Sequence, residues 1–399
     1  MAFSGAAART WIINPEGFGD APSIQAGIDS SSSGDTVLVN PGTYYEALNF
    51  RGKNLVVKSS GGTGTTTVDA TGTSAPVVSF VSDEQRNAII QGFTLTGGNG
   101  GVFVVNSEPS VLGNLITGNS SSQDGGGIYC GVAPFELRRP VISDNVVTNN
   151  FAPKNGGGIE FDQNVIPEVI GNRIENNHAR DGDGGGIYYR IFGDGAIIRG
   201  NTVKNNLAGD HGGGMYIGDV RTTSSMDVEI SWNLVANNTA NGRAQVHNSA
   251  GGIWLWATNA WVHHNTIVEN TGNGPNEAYA AGLAIDEPGS PQIEQNIIAF
   301  NLRGGGIWCG NGATPVIQNN MAWQNVGGYG VLACLDWWKS NGNVIDNPYF
   351  CDMASGDFSV ASNSGVMTHP AGPLGAFPNP GCAPVAVHHS TWGSLKARY

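Results

Sequence analysis

The chain aligns on itself. A segment built around an asparagine recurs eight times: SVLGNLITGN, PVISDNVVTNN, EVIGNRIENN, AIIRGNTVKNN, VEISWNLVANN, WVHHNTIVEN, QIEQNIIAFN and PVIQNNMAWQN. The shared residue is Asn114, Asn145, Asn172, Asn201, Asn233, Asn265, Asn296 and Asn320, at spacings of 24 to 32 residues. A second asparagine follows five residues later, from Asn119 to Asn325. Self-similarity at such a period implies stacked units, because each unit buries its apolar face only against its neighbours.

Between these copies runs a second repeat: GGVFVV, GGGIYC, GGGIEFD, GGGIYYR, GGGMYIG, AGGIWLW, AGLAID, GGGIWCG and GYGVLAC. Its apolar anchors are Val102, Ile128, Ile159, Ile187, Met215, Ile253, Leu283, Ile307 and Val331. Alternation at period two follows each anchor, the mark of a strand. One turn of chain therefore carries at least two short strands with room for a third, and about ten coils are expected. The asparagines read as structural: they tolerate the left-handed conformation at corners, and their stacked amides satisfy one another. Glycines ahead of the strand supply backbone freedom.

The pattern resembles the pectin-lyase-like superfamily of right-handed parallel β-helices, in particular its NosD-like repeat branch, over roughly residues 10–350. The resemblance implies an all-β fold: a single-stranded right-handed parallel β-helix with a short N-terminal capping helix and a loop-rich C-terminal cap. It implies no single function, since this architecture hosts lyases, hydrolases, esterases, epimerases and non-catalytic surface proteins. The opening WIINPEGFGDAPSIQAGIDSSSSGDTVLVNPGTYYE is similar to the start of many such proteins, where a helix, here around 22–30, plugs the first coil. Residues 1–60 are expected to form the cap and first coils, 61–345 the repeats, 346–385 a closing cap and 386–399 a tail.

Composition narrows the setting. Glycine is 60 of 399 residues, yet 40% of the chain is hydrophobic, which separates it from disordered Gly/Ser sequences. A net charge of −13 repels phosphate backbones and anionic membranes, and no run of 18 apolar residues is present. Nucleic acid and membrane insertion are therefore not expected. The start MAFSGAAARTW has no leader-like charged and apolar regions, so Met1 reads as an added start and the native signal peptide as missing. Cys351 and Cys382 bracket the C-terminal region and suit a staple in an oxidising compartment. Cys130 and Cys309 read as core, and five cysteines leave at least one thiol free. A secreted or cell-surface monomer is expected.

Stacking turns the alignment into surface geometry. The residue after each anchor points outward, giving the column Phe103, Tyr129, Glu160, Tyr188, Tyr216, Trp254, Ala284, Trp308 and Leu332. Two places further on lies a second outward column: Val105, Gly131, Asp162, Arg190, Gly218, Trp256, Asp286, Gly310 and Cys334. Between them Cys130, Phe161, Tyr189, Ile217, Leu255, Ile285, Cys309 and Ala333 point inward. Aromatics stack on the apolar faces of sugar rings, so Tyr129, Tyr188, Tyr216, Trp254, Trp256 and Trp308 are the candidate substrate platform. The alternative is a ladder that only stabilises the sheet. Long connections at 131–139, 219–227, 239–250 and 271–281 are expected to wall a groove.

Candidate chemistry clusters in the middle coils. Glu160 and Asp162 flank Phe161 on one strand, so their side chains emerge about 7 Å apart. That suits the acid and base of an inverting glycoside hydrolase, which stand roughly 6.5–9.5 Å apart. Asp162, Asp183 and Asp210 offer other pairs. Asp124, Asn155, Asp183 and His211 form a column just before the strands, and Asp286 lies near the tryptophans. Arg190 with Tyr188, Tyr216 or His211 suits β-elimination or epimerisation of a uronic acid. No cofactor is required. Calcium is a candidate among Asp181, Asp183 and Asp210, although neither the pectate-lyase calcium site nor the polygalacturonase aspartate signature is complete. His263 and His264 neighbour Trp232 on another face and are expected to face solvent, with a metal or second sugar site as the alternative. Three functions follow: hydrolysis of a polysaccharide, glycan binding without catalysis, and a uronate lyase or epimerase.

Overall fold

A computed structural model describes residues 7–131, 136–191, 193–219, 228–245, 249–273, 282–310, 312–327, 330–332, 334, 337 and 340–385. Three parallel sheets of twelve, eleven and twelve strands run the length of a right-handed β-helix. The first sheet runs from Thr10–Ile13 to Val316–Gln318, the second from Leu48–Asn49 to Gly330–Leu332, and the third from Gly42–Tyr44 to Val344–Ile345. A fourth, of five two-residue strands from Phe151–Ala152 to Thr271–Gly272, shapes the turn between the third and second sheets.

Two corners of each coil are set by the asparagines, with one difference from expectation. The left-handed residue is the one before each asparagine: Gly113, Asp144, Gly171, Gly200, Trp232, His264, Gln295 and Asn319 all have φ between 53° and 66°. The asparagines turn inward and stack. Asn145 Nδ2 donates to Asn172 Oδ1 at 3.0 Å, Asn172 to Asn201 at 3.0 Å and Asn201 to Asn233 at 3.0 Å, and the chain of amides extends to Asn343. Each Oδ1 also accepts the preceding asparagine's backbone N–H, as Asn172 Oδ1 does from Asn145 at 2.9 Å. A second ladder runs from Asn119 to Asn325. These amides are buried and satisfied, which is why the corners need asparagine.

The phase holds. Cys130, Phe161, Tyr189, Ile217, Leu255, Ile285 and Cys309 are each 1% exposed or less. Register pairs Phe103 with Tyr129, Tyr129 with Glu160, Glu160 with Tyr188, Tyr188 with Tyr216, Tyr216 with Trp254, Trp254 with Ala284 and Ala284 with Trp308. The last rung corrects the expectation by one residue: Trp308 is level with Val331 and Cys309 with Leu332. Gly330 takes the register place opposite Ile307 that Val331 was expected to hold. Cys334 leaves its column. It is buried and joined to Cys309, so Cys309 is a disulfide partner and not a core thiol. Cys351 and Cys382 form the second disulfide, and Cys130 is free and buried. Ala333, the tail 386–399, and residues 132–135, 220–227, 246–248 and 274–281 of the four long connections lie outside the described residues.

Both ends are closed. Helix Ile24–Ser30 buries Ile24, Gly27 and Ile28 on the first coil. Ser23 caps it, and the Glu46 carboxylate accepts from the N–H groups of Ile24 and Gln25 at 2.9 and 2.8 Å, a negative charge at the helix N-terminus. At the other end Ala313, Cys334 and Trp337 join the central core. The segment that follows turns back along the outside: Phe350, Phe358, Val360, Val366 and Leu374 cover Leu234, Ala236, Val268, Ile297 and Ala299 on the third sheet.

Candidate functional site

The outer face of the second sheet carries the candidate residues, and the structure divides them by depth. Glu160 stands between Tyr129 and Tyr188 in register and is 3% exposed. Its Oε2 is buried and has no hydrogen-bond partner. Burial, and then the charges of Asp124 and Asp162, hold the carboxyl well above the usual carboxylate range, with the Gly125 N–H and Arg190 pulling the other way. Burial thus favours the neutral form of the Glu160 carboxyl over the charged one. Asp162 is more open, its side chain 38% exposed, with Arg190 Nη1 at 4.0 Å from Oδ1. One strand thus presents a buried carboxyl and an accessible one.

The aromatic column is interrupted at Glu160. Phe103 stacks on Tyr129 with ring centres 5.2 Å apart, and Tyr188 on Tyr216 at 5.1 Å. All four rings are half-buried. Burial pushes the phenols of Tyr129, Tyr188 and Tyr216 up, so none of the three is a ready base. Trp254 and Trp308 overturn their assignment to the open platform. They point outward from the sheet but are 3% and 5% exposed, packed with Ala250 and Ala284 in a cluster of their own. The connection that enters the strand Ile253–Trp256 brings Ala250 over them. Trp256 stays half-buried at the edge of that cluster.

The column before the strands is a third hydrogen-bonded ladder. Asp124 Oδ1 accepts from the Asn155 N–H at 2.9 Å, Asn155 Oδ1 from Asp183 at 3.0 Å and Asp183 Oδ1 from His211 at 2.8 Å. Asp183 Oδ1 also meets His211 Nδ1 at 3.0 Å, and Asp210 is 3.5 Å from the same nitrogen and 3.2 Å from Arg243 Nε. Burial lowers the His211 pKa, but the Asp183 bond and the charges of Asp183, Asp210 and Asp286 outweigh it and raise it. Its ring packs on Trp254 at 4.3 Å. These three side chains are tied to one another and to the backbone. Asp181, expected with Asp183 and Asp210 to hold calcium, is fully exposed and pairs with Arg180 at 2.7 Å. Asp286, level with Trp256, is half-buried and its pKa is raised by that burial.

A cleft of about 460 Å³ opens beside Tyr129, lined by Phe103, Asp124, Gln123, Asn99, Ser79 and Asn49 among others. Asn49 and Ser79 continue the outward column below Phe103 in register. Sequence comparison missed them because the first coils lack the Gly-rich motif that marks the strand later. The cleft thus runs from the first coils to Tyr129, and the outward column continues from there in register through Glu160 and Tyr188 to Tyr216.

The model of the family described as periplasmic copper-binding protein (NosD) matches residues 28–270. Among solved structures, the chain is similar to the mannuronan C-5 epimerase AlgE6 A-module of Azotobacter vinelandii, at 16% identity over 82% of this chain and 94% of that one, with a TM-score of 0.44. Pectate lyase Pel9A follows at 14%, over 93% and 96%, TM-score 0.40, and the PL6 family alginate lyase AlyGC at 11%, over 96% and 60%, TM-score 0.31. No curated protein sequence matches. Copper favours imidazole and sulfur donors. The group Asp183, Asp210 and His211, whose ligand atoms lie within 4.8 Å of one another, offers one nitrogen and a carboxylate already held by Arg243, and does not fit. His263 and His264 do fit, with Nδ1 atoms 2.8 Å apart. His263 is 6% exposed, which corrects the expectation that the pair faces solvent.

Proposed function

The chain belongs to the NosD family, and from that premise we propose that it is a monomeric protein of a non-cytoplasmic compartment that binds a polysaccharide along the second sheet and hydrolyses it. The family's periplasmic description and two disulfides support the compartment. No described helix is long and apolar enough to cross a membrane.

The observation that carries the reading is Glu160: a buried carboxyl with an unpartnered oxygen, whose neutral form burial favours, level with Tyr129 at the edge of an aromatic cleft and two residues from Asp162. A sugar ring seated against Tyr129 and Tyr188 parts the two rings and brings its glycosidic oxygen to Glu160 Oε2. Glu160 gives its proton to that oxygen as the bond to the anomeric carbon breaks. Asp162 takes a proton from a water whose oxygen bonds the same carbon. Arg190, 4.0 Å from Asp162, helps to hold it in place. No cofactor takes part.

Arg190 also favours a second reading, a lyase or epimerase that neutralises a uronate carboxylate. That reading lacks a base, because the tyrosines are raised and His211 is committed to Asp183. A glycan-binding protein without catalysis is the third. Copper, if bound, belongs to His263 and His264 on the first sheet, where it supplies a cation and takes no part in the groove.

Glycan-array binding followed by reducing-end assays on the bound polymers tests the proposal. Glu160→Gln and Asp162→Asn should keep binding and abolish release of reducing ends. Unchanged turnover in both variants refutes the pair. Retained glycan with no turnover by the native chain leaves the binder, and an ultraviolet-absorbing unsaturated product identifies a lyase.

A further inference from the structure

We propose that His263 and His264 form a copper-binding site of two imidazole nitrogens on the outer face of the first sheet, walled by Trp232 and Trp261. The proposal assigns residues that no family description names, and it is independent of the polysaccharide reading.

The chain places two adjacent histidines on one side, which a strand does not do. In the strand Trp261–His263, Val262 is fully buried, and Trp261 and His263 point outward. A regular strand turns the next side chain the other way. His264 instead sits at the left-handed corner, with φ 53°, and its ring meets that of His263 at 82°. Other coils fill this corner with Gly113, Asp144, Gly171, Gly200, Gln295 and Asn319. Among the described residues, only the two neighbouring coils with Trp232 and His264 put rings there. A bulky side chain in this region is strained, and strain retained at one place is a pointer to function.

The rings are held in position. Trp232 stacks on His264 with centres 4.1 Å apart and planes 16° apart, and Trp261 stacks on His263 at 3.9 Å. Trp261 Nε1 donates to Glu294 Oε1 at 2.6 Å. Glu229 accepts from Arg199 at 2.6 Å and from Ser231 Oγ at 2.7 Å, and its Oε1 lies 3.2 Å from His263 Nε2. That carboxylate takes the Nε2 hydrogen and leaves the His263 Nδ1 lone pair free for a ligand, the support that metal-binding histidines receive. Without metal, one Nδ1 donates to the other across 2.8 Å. With metal–nitrogen bonds near 2.0 Å, nitrogens at that separation subtend about 90°, the angle between neighbouring ligands of tetragonal copper(II). Glu229 and Glu294 set two negative charges against Arg199, which favours a cation.

The test is copper sulfate titrated into chelator-stripped full-length protein, read by equilibrium dialysis and electron paramagnetic resonance. One copper per chain with superhyperfine splitting from two nitrogens is expected. His264→Asn suits the corner, as Asn319 does, so its metal-free melting midpoint should equal or exceed the native one. It should lower copper affinity at least tenfold and remove the two-nitrogen signature. His264→Gly is the second variant if His264→Asn folds poorly. Native protein that binds no copper, unchanged affinity in a folded His264 variant, or loss of binding on His211→Gln in place of His264→Asn overturns the site.

Discussion

Asn206 tests what holds the coils in register. Its Oδ1 accepts from Asn177 N–H and Asn177 Nδ2, both at 3.0 Å, and its Nδ2 donates to the Ile174 carbonyl at 2.9 Å and to Asn238 Oδ1 at 3.0 Å. In Asn206→Ala, Asn177 Nδ2 keeps Val147 O and Asn238 Oδ1 keeps the Asn206 N–H. The Asn177 N–H keeps nothing. An orphaned buried donor costs roughly 1–3 kcal/mol, and the other lost bonds and small cavity add about 1–2 more. The expected loss is about 3–4 kcal/mol, measured as a lower guanidinium midpoint at unchanged slope by circular dichroism. Asn205 is the control: it is exposed at φ 56°, where glycine is comfortable, so Asn205→Gly should change stability by less than about 0.5 kcal/mol. A loss below about 1 kcal/mol in Asn206→Ala, or equal losses in both variants, refutes the ladder as the source of register.

Three further outcomes are expected. Glu160 has a raised folded pKa, so its contribution to stability is present below the unfolded value of about 4.5 and is lost as pH rises through the folded one. Melting midpoints of the native chain should therefore fall with rising pH relative to Glu160→Gln; parallel profiles would show that the acid is not held neutral. Trp254→Ala should cost about 3–5 kcal/mol of stability with glycan affinity kept, because the ring is enclosed. Tyr188→Ala should weaken glycan binding roughly three- to tenfold in calorimetry, and the reverse pattern would relocate the platform.

The architecture was legible because its signals are periodic. A buried amide at each corner and an alternating strand after each glycine run repeat often enough to assign inside and outside for Phe161, Tyr189 and Leu255 without coordinates. Depth was not legible. Strand phase says that Trp254, Trp308 and Glu160 leave the sheet outward, but it does not say what lies over them, and the covering chain at Ala250 has no fixed register. The disulfide of Cys309 was hidden by a slip of one residue at Gly330, which put Cys334 in the wrong column. The left-handed corner was misassigned by one place because asparagine is both a frequent left-handed residue and a frequent ladder residue. Only backbone angles separate Asp144 from Asn145.

The amide ladders also make the molecule divisible. Asn172 and Asn201 occupy equivalent points 29 residues apart, each accepting from the rung before and donating to the rung after. Excising the stretch between two such points joins ends that already match in direction, hydrogen bonding and depth. Total length is therefore an integer property of the polypeptide, changeable by one rung of roughly 4.8 Å at a time. Any track laid along the outside lengthens or shortens in the same increments.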